Sequence, residues 1–260
     1  MPRALAVIVV MLVVACREDA PALTTPGRLR VMSYNLNFGL AGDRAGAAAI
    51  ARAQPDVVVL QESNDAWRAA LVRDLAGRFP HHRFTHQDDW AAGGLGILSK
   101  FPIRSIDELP SAVDHFVAWR AVIDTPLGAI QVLDVHLRPP RSDRGSVAVG
   151  YFSTRGDRAR EIERHLAALA PMPTIIAGDF NEEADGLASA RLRAVGYRDA
   201  IADRFGPAPT WAWELNGVTL RYQLDHVFYD AAFTAHDAAI VDAGRSDHRP
   251  IWADLAPTAR

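Results

Sequence analysis

The chain has 260 residues, 49% of them hydrophobic and 23% charged, with a formal net charge of −3. That is enough apolar material to fill one core, and the acidic balance excludes a protein held on nucleic acid by bulk positive charge. A single cysteine, Cys16, excludes an intrachain disulfide framework and a multi-cysteine zinc site.

In chain order, Met1 to Arg3 give a short cationic start and Ala4 to Val14 an apolar run. Such a run is too short for a stable transmembrane helix and suits the core of a signal peptide. It leads into Val13-Val14-Ala15-Cys16, where a small residue precedes the lone cysteine. This resembles the lipobox of bacterial lipoproteins, in which the cysteine is acylated and becomes the new N-terminus. The resemblance implies a signal peptide over residues 1–15, a lipid anchor at Cys16 and a place outside the cytoplasm, in the bacterial cell envelope. The alternative is ordinary cleavage near Ala15, leaving a free thiol. Residues 16–28 are polar, contain proline and lack periodicity, so a tether is expected there. A folded domain is expected over 29–256.

Within that domain short β-rich runs alternate with helical stretches. Leu29 to Tyr34 reads as a strand, Gly46 to Gln54 as a helix stopped by Pro55, and Val57 to Leu60 as a fully buried strand. Asn64 is placed to cap a helix running to Arg78 and closed by Pro80. Strands follow at Gly94–Ser99, Arg104–Leu109, His115–Asp124 and Ala129–His136, then a basic stretch and a helix ending near Leu169. Thr174 to Ala177 reads as a strand and Leu187 to Ala194 as a helix. Leu220–Tyr229, Ala238–Asp242 and Ile251–Leu255 complete the strands. No internal linker or 20–50-residue repeat interrupts the series, which predicts one mixed α/β domain.

Chemistry enters at the strand ends, where α/β sheets commonly bind ligands. Asn35 and Asn37 follow the first strand, Glu62 the second, and His136 ends the run 130–135. Asp179 and Asn181 follow Ile175–Gly178, Asp225 and His226 follow Leu224, and Asp247 and His248 precede the last strand. Each has an ordinary structural explanation: a turn cap, a helix-start carboxylate, a satisfied core histidine, an edge pair. Six strand ends offering Asn, Asp, Glu or His together point to a site. Oxygen-rich ligands with few histidines suit Mg²⁺ or Mn²⁺ better than zinc.

SYNLNFG (33–39), VVLQES (58–63), GLGILSKFPI (94–103), VLDVHL (132–137), AGDFN (177–181), QLDHVF (223–228) and SDHRPIWADL (246–255) together resemble the endonuclease/exonuclease/phosphatase superfamily, deoxyribonuclease I-like and sphingomyelinase-like members included. The resemblance implies a single-domain four-layer α/β sandwich, two packed mixed β-sheets flanked by helices. It also implies a hydrolase of phosphate esters using Mg²⁺ or Mn²⁺. Asn35, Glu62 and Asp247 would lie around the metal, with Glu62 as principal ligand and Asn37 in support. His248 would act as general base or contact the phosphate, oriented by Asp225. Asp179 would position the water, Asn181 would donate to developing charge, and His136 would contact phosphate or assist the leaving group. Which histidine is acid and which is base stays open.

The family often has arginine two positions before the aspartate of the His–Asp pair; here Gln223 stands there, which puts the local support of Asp225 in doubt. Arg120 either contacts phosphate or pairs on the surface. The arginine-rich stretch from Pro139 to Arg164 reads as a solvated helix face, with an anion-attracting rim as the alternative. Trp211 and Trp213 alternate as on a strand and are expected in the core. The expected substrate is a phosphodiester, nucleic acid first and a phospholipid head group or a phosphomonoester as alternatives, acted on by a monomer that meets the membrane only through its anchor. A non-catalytic surface binding module is the competing class.

Overall fold

The computed structural model describes residues 21–85, 90–140, 147–215 and 217–259; Cys16 and the leader expected at 1–15 lie outside these. The first half of the chain supplies strands β1 (Leu29–Asn35), β2 (Val57–Gln61), β3 (His81–Phe84), β4 (Leu95–Ser99), β5 (Ile103–Leu109), β6 (Ala118–Thr125) and β7 (Gly128–His136). The second half supplies β8 (Thr174–Asp179), β9 (Arg198–Asp199), β10 (Trp211–Leu215), β11 (Val218–Tyr222), β12 (Asp225–Tyr229), β13 (Phe233–Ile240) and β14 (Ile251–Pro257). The helices are α1 (Arg44–Ala53), α2 (Asp65–Leu75), α3 (Val147–Ser153), α4 (Arg155–Ala167), α5 (Leu187–Ala194) and α6 (Ala200–Phe205).

Two six-stranded sheets carry the fold, in orders β13-β14-β1-β2-β4-β3 and β5-β6-β7-β8-β12-β9. Both are mixed: β1 runs parallel to β2 and β7 parallel to β8, while their other pairings are antiparallel. Period-two alternation explains the layering. Val57 and Val59 face the inter-sheet core with Val132, Ile175, Ala177 and Val227. Their neighbours Val58 and Leu60 face the other way, onto Ile50 of α1 and Trp67, Leu71 and Leu75 of α2. On the far side Leu133, Val135, Ile176 and Phe228 pack against Ile162 of α4 and Ala188 and Leu192 of α5. The result is helix, sheet, sheet, helix: the four-layer sandwich expected from the sequence. Among the described residues no helix is long and apolar enough to cross a membrane.

Helix starts follow their caps. Asp43 accepts from Ala45 N and Gly46 N, and Asn64 accepts from Trp67 N, satisfying amides that have no partner inside the helix. The expected strand Leu220–Tyr229 is two strands. Val218–Tyr222 pairs with Trp211–Leu215 in a separate hairpin, and Asp225–Tyr229 lies in the second sheet beside β8. At the break Leu224 N donates to Thr210 Oγ1 (3.0 Å) and Leu224 O accepts from Phe180 N (2.8 Å), so the chain leaves one sheet for the other at Gln223-Leu224. The arginine-rich stretch is only partly a solvated face: Arg160 and Arg164 are exposed, but Arg158 is fully buried against Glu182 (3.2 Å).

Candidate active site

Register across the second sheet aligns three of the singled-out residues. His136 of β7 pairs in register with Asp179 of β8, and Asp179 with Asp225 of β12. The opposing edge of the first sheet brings Asn35, paired with Gln61, and Glu62 directly after it. Backbone contacts make this alignment tight. Gly178 has φ +151°, and a Cβ there would lie 1.9 Å from Val135 O, so only glycine lets β8 approach β7 just before Asp179 and His136. Asn37, Glu62 and Asn181 all hold left-handed backbone conformations (φ 58°, 55° and 52°), three of the five non-glycine cases among the described residues. Strain of this kind persists where the surroundings impose it, and it gathers at functional sites.

Hydrogen bonds join the two sheet edges. Asn35 Nδ2 donates to Glu62 Oε1 (3.1 Å) and to Asp179 Oδ2 (3.1 Å), while Asn35 Oδ1 accepts from Asn37 N (3.1 Å). Asn35 is fully buried, a strut between two carboxyl groups with its oxygen turned onto the backbone. Asn37 Nδ2 donates to Asp247 Oδ1 (2.9 Å), and Phe38 N donates to Glu62 Oε2 (3.2 Å). Asn181 spends one amide hydrogen on Leu137 O (2.9 Å), and its backbone N donates to Asp179 Oδ1 (2.9 Å).

His248 lies between two carboxyl groups. Its Nδ1 is 3.0 Å from Asp225 Oδ2, and its Nε2 is 3.6 Å from Asp179 Oδ2. Burial alone would weaken its basicity, but Asp225, Asp179 and Asp247 outweigh burial and push it up to about 10. His136 goes the other way: burial, then the neighbouring His248 and His115, push it down to about 3. Its Nδ1 is 3.2 Å from Ala92 O, an acceptor only, so the ring proton is assigned to Nδ1 and Nε2 carries the lone pair. That Nε2 is 3.5 Å from Asp179, whose own carboxyl is pushed up to about 7 by burial, with Asp225 adding and His248 opposing. Glu62 is also raised by burial, against Asn35, His248 and Phe38 N.

These groups open on a cleft of about 580 Å³ lined by Glu62, His136, Asp179, Asn181, Asp247 and His248, with Asn37. Its other walls are Phe38, Pro139, Pro140, Trp211, Trp213 and Leu224. Both tryptophans flank the cleft: Trp211 is buried as expected, whereas Trp213, two positions along the separate hairpin, is exposed instead of entering the core. Trp211 Nε1 donates to Asp247 Oδ2 (2.9 Å). Arg120 pairs with Asp107 (2.8 Å) and Ala168 O, away from the cleft. His226 points to the opposite face, where Nδ1 meets Asp199 (2.6 Å) and Nε2 meets Glu182 O (3.0 Å). Thr210, which the sequence reading passed over, holds Asp225 through its hydroxyl (2.6 Å).

The donor set fits a divalent cation. Glu62, Asp179, Asp225 and Asp247 gather four carboxyl groups against one protonated imidazole, and among the described residues no Lys or Arg lines the cleft. Burial raises both Glu62 and Asp179, and a bound cation would favour their charged forms. Asp179, Asp225 and His248 each offer a ligand atom within 4.8 Å of the others. Asp225 does not reach the cleft, however, and His248 already fills the space between the two aspartates. Glu62 and Asp247, with Asp179, are the carboxyl groups that face it.

Comparisons with known proteins agree with this geometry. The family model described as Endonuclease/Exonuclease/phosphatase family matches residues 32–248. A Saccharomyces cerevisiae protein named inositol phosphosphingolipids phospholipase C is 30% identical over 149 residues, 51% of this chain and 31% of that protein. The match thus spans about a third of that relative's length. Among solved structures, an endonuclease/exonuclease/phosphatase from Beutenbergia cavernae superposes with a TM-score of 0.69 at 21% identity, covering 88% of this chain and 72% of that one. Truncated Caenorhabditis elegans TDP2 gives 0.65 at 17% identity, covering 88% and 98%. These two likenesses concern the fold.

Proposed function

This chain belongs to the endonuclease/exonuclease/phosphatase family; we propose that it is a phosphodiesterase dependent on Mg²⁺ or Mn²⁺ and, from the lipobox-like residues before Cys16, that it is lipid-anchored outside the cytoplasm. Members of the family are metal-dependent phosphodiesterases and phosphatases, and the chain is a hydrolase of phosphate esters. The observation that carries the reading is the cleft itself: three carboxyl groups, a neutral histidine and a charged one held from behind by Asp225, converging from two sheets.

Glu62 and Asp247 are the groups to hold the cation, which would neutralise charge on the phosphoryl oxygens. Asn35 and Asn37 keep those carboxylates aimed, through the bonds to Glu62 and Asp247. Asp225 fixes the His248 ring, so Nε2 faces Asp179 and the cleft. An attacking water held between Asp179 and His248 would pass its proton to the Asp179 carboxylate, with the charged His248 holding both through its Nε2–H. His136, neutral with a lone pair on Nε2, is placed to accept a hydrogen bond from substrate or water. The second amide hydrogen of Asn181 remains for a phosphoryl oxygen.

For the substrate, a phospholipid head group goes ahead of nucleic acid, reversing the order the sequence suggested. Six of the thirteen lining residues are apolar or aromatic, and none described is a lysine or arginine. Nucleic-acid affinity rests largely on Lys and Arg neutralising phosphates. The yeast relative's name points to a phosphosphingolipid. Nucleic acid is the second reading, and a binding module the third.

A panel of sphingomyelin, inositol phosphosphingolipid, supercoiled plasmid, RNA, bis-(p-nitrophenyl) phosphate and p-nitrophenyl phosphate tests all three. Turnover of a phosphodiester with Mg²⁺ or Mn²⁺ that EDTA abolishes is expected, with lipid ahead of plasmid. Glu62→Gln should lose at least about 10²-fold in rate while the fold survives. Full activity in EDTA overturns the metal, and no turnover by folded protein favours the binding module.

A further inference from the structure

Asp225 is fully buried, and a buried carboxylate needs hydrogen-bond donors. Gln223, standing where the family often has arginine, does not supply them: its Oε1 accepts from Ala208 N (3.4 Å) and its Nε2 lies by His226 (3.5 Å). The donor is Thr210, fifteen residues upstream and equally buried. Its Oγ1 accepts from Leu224 N (3.0 Å) and from Asp225 N (3.0 Å). A hydroxyl has two lone pairs and one proton. With both lone pairs taken, the proton has one place left to go: Asp225 Oδ2, at 2.6 Å. That same oxygen is the one nearer His248 Nδ1, 3.0 Å against 3.2 Å for Oδ1. The direction of the chain Thr210, Asp225, His248 is therefore fixed by count and not by rotamer choice.

The backbone of Thr210 is separately engaged. Its N donates to Tyr222 O (3.0 Å) and its O accepts from Arg249 N (2.6 Å), next to His248. Removing the hydroxyl leaves those bonds in place but takes the acceptor from Leu224 N and Asp225 N as well, so a serine, which restores all three hydroxyl bonds, is the matching control.

We propose that Thr210 is a positioning residue for the hydrolytic reaction, extending the Asp225–His248 pair to a three-membered chain and taking the place of the absent arginine. This rests on the reading that His248 acts on the attacking water. Loss of the hydroxyl lets the Asp225 carboxylate rotate and loosens the imidazole, without touching substrate.

Thr210→Val and Thr210→Ser are to be compared with the unsubstituted protein on bis-(p-nitrophenyl) phosphate with Mg²⁺. The far-downfield proton NMR signal of the His248 Nδ1–H, assigned by its absence in His248→Ala, is followed in parallel. Thr210→Val should lower kcat about 10–100-fold, as loss of orienting partners does elsewhere, with KM changed less than about threefold. Thr210→Ser should return kcat to within about threefold, and the NMR signal should shift or broaden in the valine variant alone. If Thr210→Val does not fold, Thr210→Cys, a weaker donor of similar size, carries the same expectation. Unchanged kcat and an unmoved signal in the hydroxyl-less variant overturn the proposal, as does a serine variant as impaired as valine. An unsubstituted protein that turns over no phosphodiester, yet whose signal responds to Thr210→Val, refutes the activity and supports the chain.

Discussion

Two histidines near one aspartate differ in what surrounds them, and the difference can be measured. His248 faces the cleft between Asp225 and Asp179, whereas His226, adjacent to Asp225 in sequence, turns away to Asp199 and Glu182 O. His248→Ala and Asp225→Asn should each lower kcat by at least about 10²-fold with KM little changed, and the double variant should be barely worse than the worse single one. His226→Ala should instead leave most of kcat and cost about 3–5 kcal/mol of stability, because Asp199 is left buried without its partner. Equilibrium denaturation beside steady-state kinetics separates the two; a dead His226→Ala with an active His248→Ala reverses the assignment. Alternation along a strand made this split legible in the sequence. Thr210 and the indole of Trp211 were not legible: their partners Asp225 and Asp247 lie 15 and 36 positions away, and only the docking of the hairpin brings them near. A Thr-Trp pair before an Asn-Gly turn signal marks a hairpin, not the carboxylates beneath it.

Elements with strong local signals were read correctly. Asn64 caps its helix as expected, and the runs at Val57 and Thr174 are buried strands, while the first helix begins at Arg44 behind Asp43, two residues before the expected Gly46. β3, the sequence HHRF, was missed because an edge strand with polar side chains shows no apolar alternation. The break inside Leu220–Tyr229 was hidden because both halves are β-prone, and the hydrogen bonds that divide them come from Thr210 and Phe180. The close approach of β7 and β8 gives a sharp test of how the strand ends are aligned. Gly178→Ala should cost about 2–4 kcal/mol, since the new Cβ meets Val135 O in a conformation L residues avoid. Gly128→Ala, with φ +106° but open space around it, should cost only about 1 kcal/mol. Urea midpoints at unchanged slope give both values; equal losses would mean that the clash relaxes freely.

At the scale of the whole molecule, the described domain starts its first strand at Leu29, but the expected tether is already docked before it: Leu23 packs on the core and Thr24 N donates to Asp56 Oδ1 (2.9 Å). If Cys16 carries the lipid, Cys16→Ser should move the protein out of the membrane fraction or leave it unprocessed. A mature chain whose intact mass shows no acyl groups refutes the anchor. One mixed α/β domain was legible because apolar strands alternate with capped helices, and its four layers only through the family resemblance; the pairing order was not, since it depends on contacts between distant segments. That order has a consequence of its own. Residues 103–229 form the second sheet and the small hairpin without interruption, while the first sheet is built from what comes before and after, with Leu29 of β1 beside Leu255 of β14. One sheet is threaded through a gap in the other. Glu62 belongs to the leading piece, His136, Asp179 and Asp225 to the insert, and Asp247 and His248 to the trailing piece. No single stretch of chain therefore carries the whole site: until β14 has closed against β1, Asp247 and His248 are not brought to the cleft that Glu62, His136 and Asp179 line.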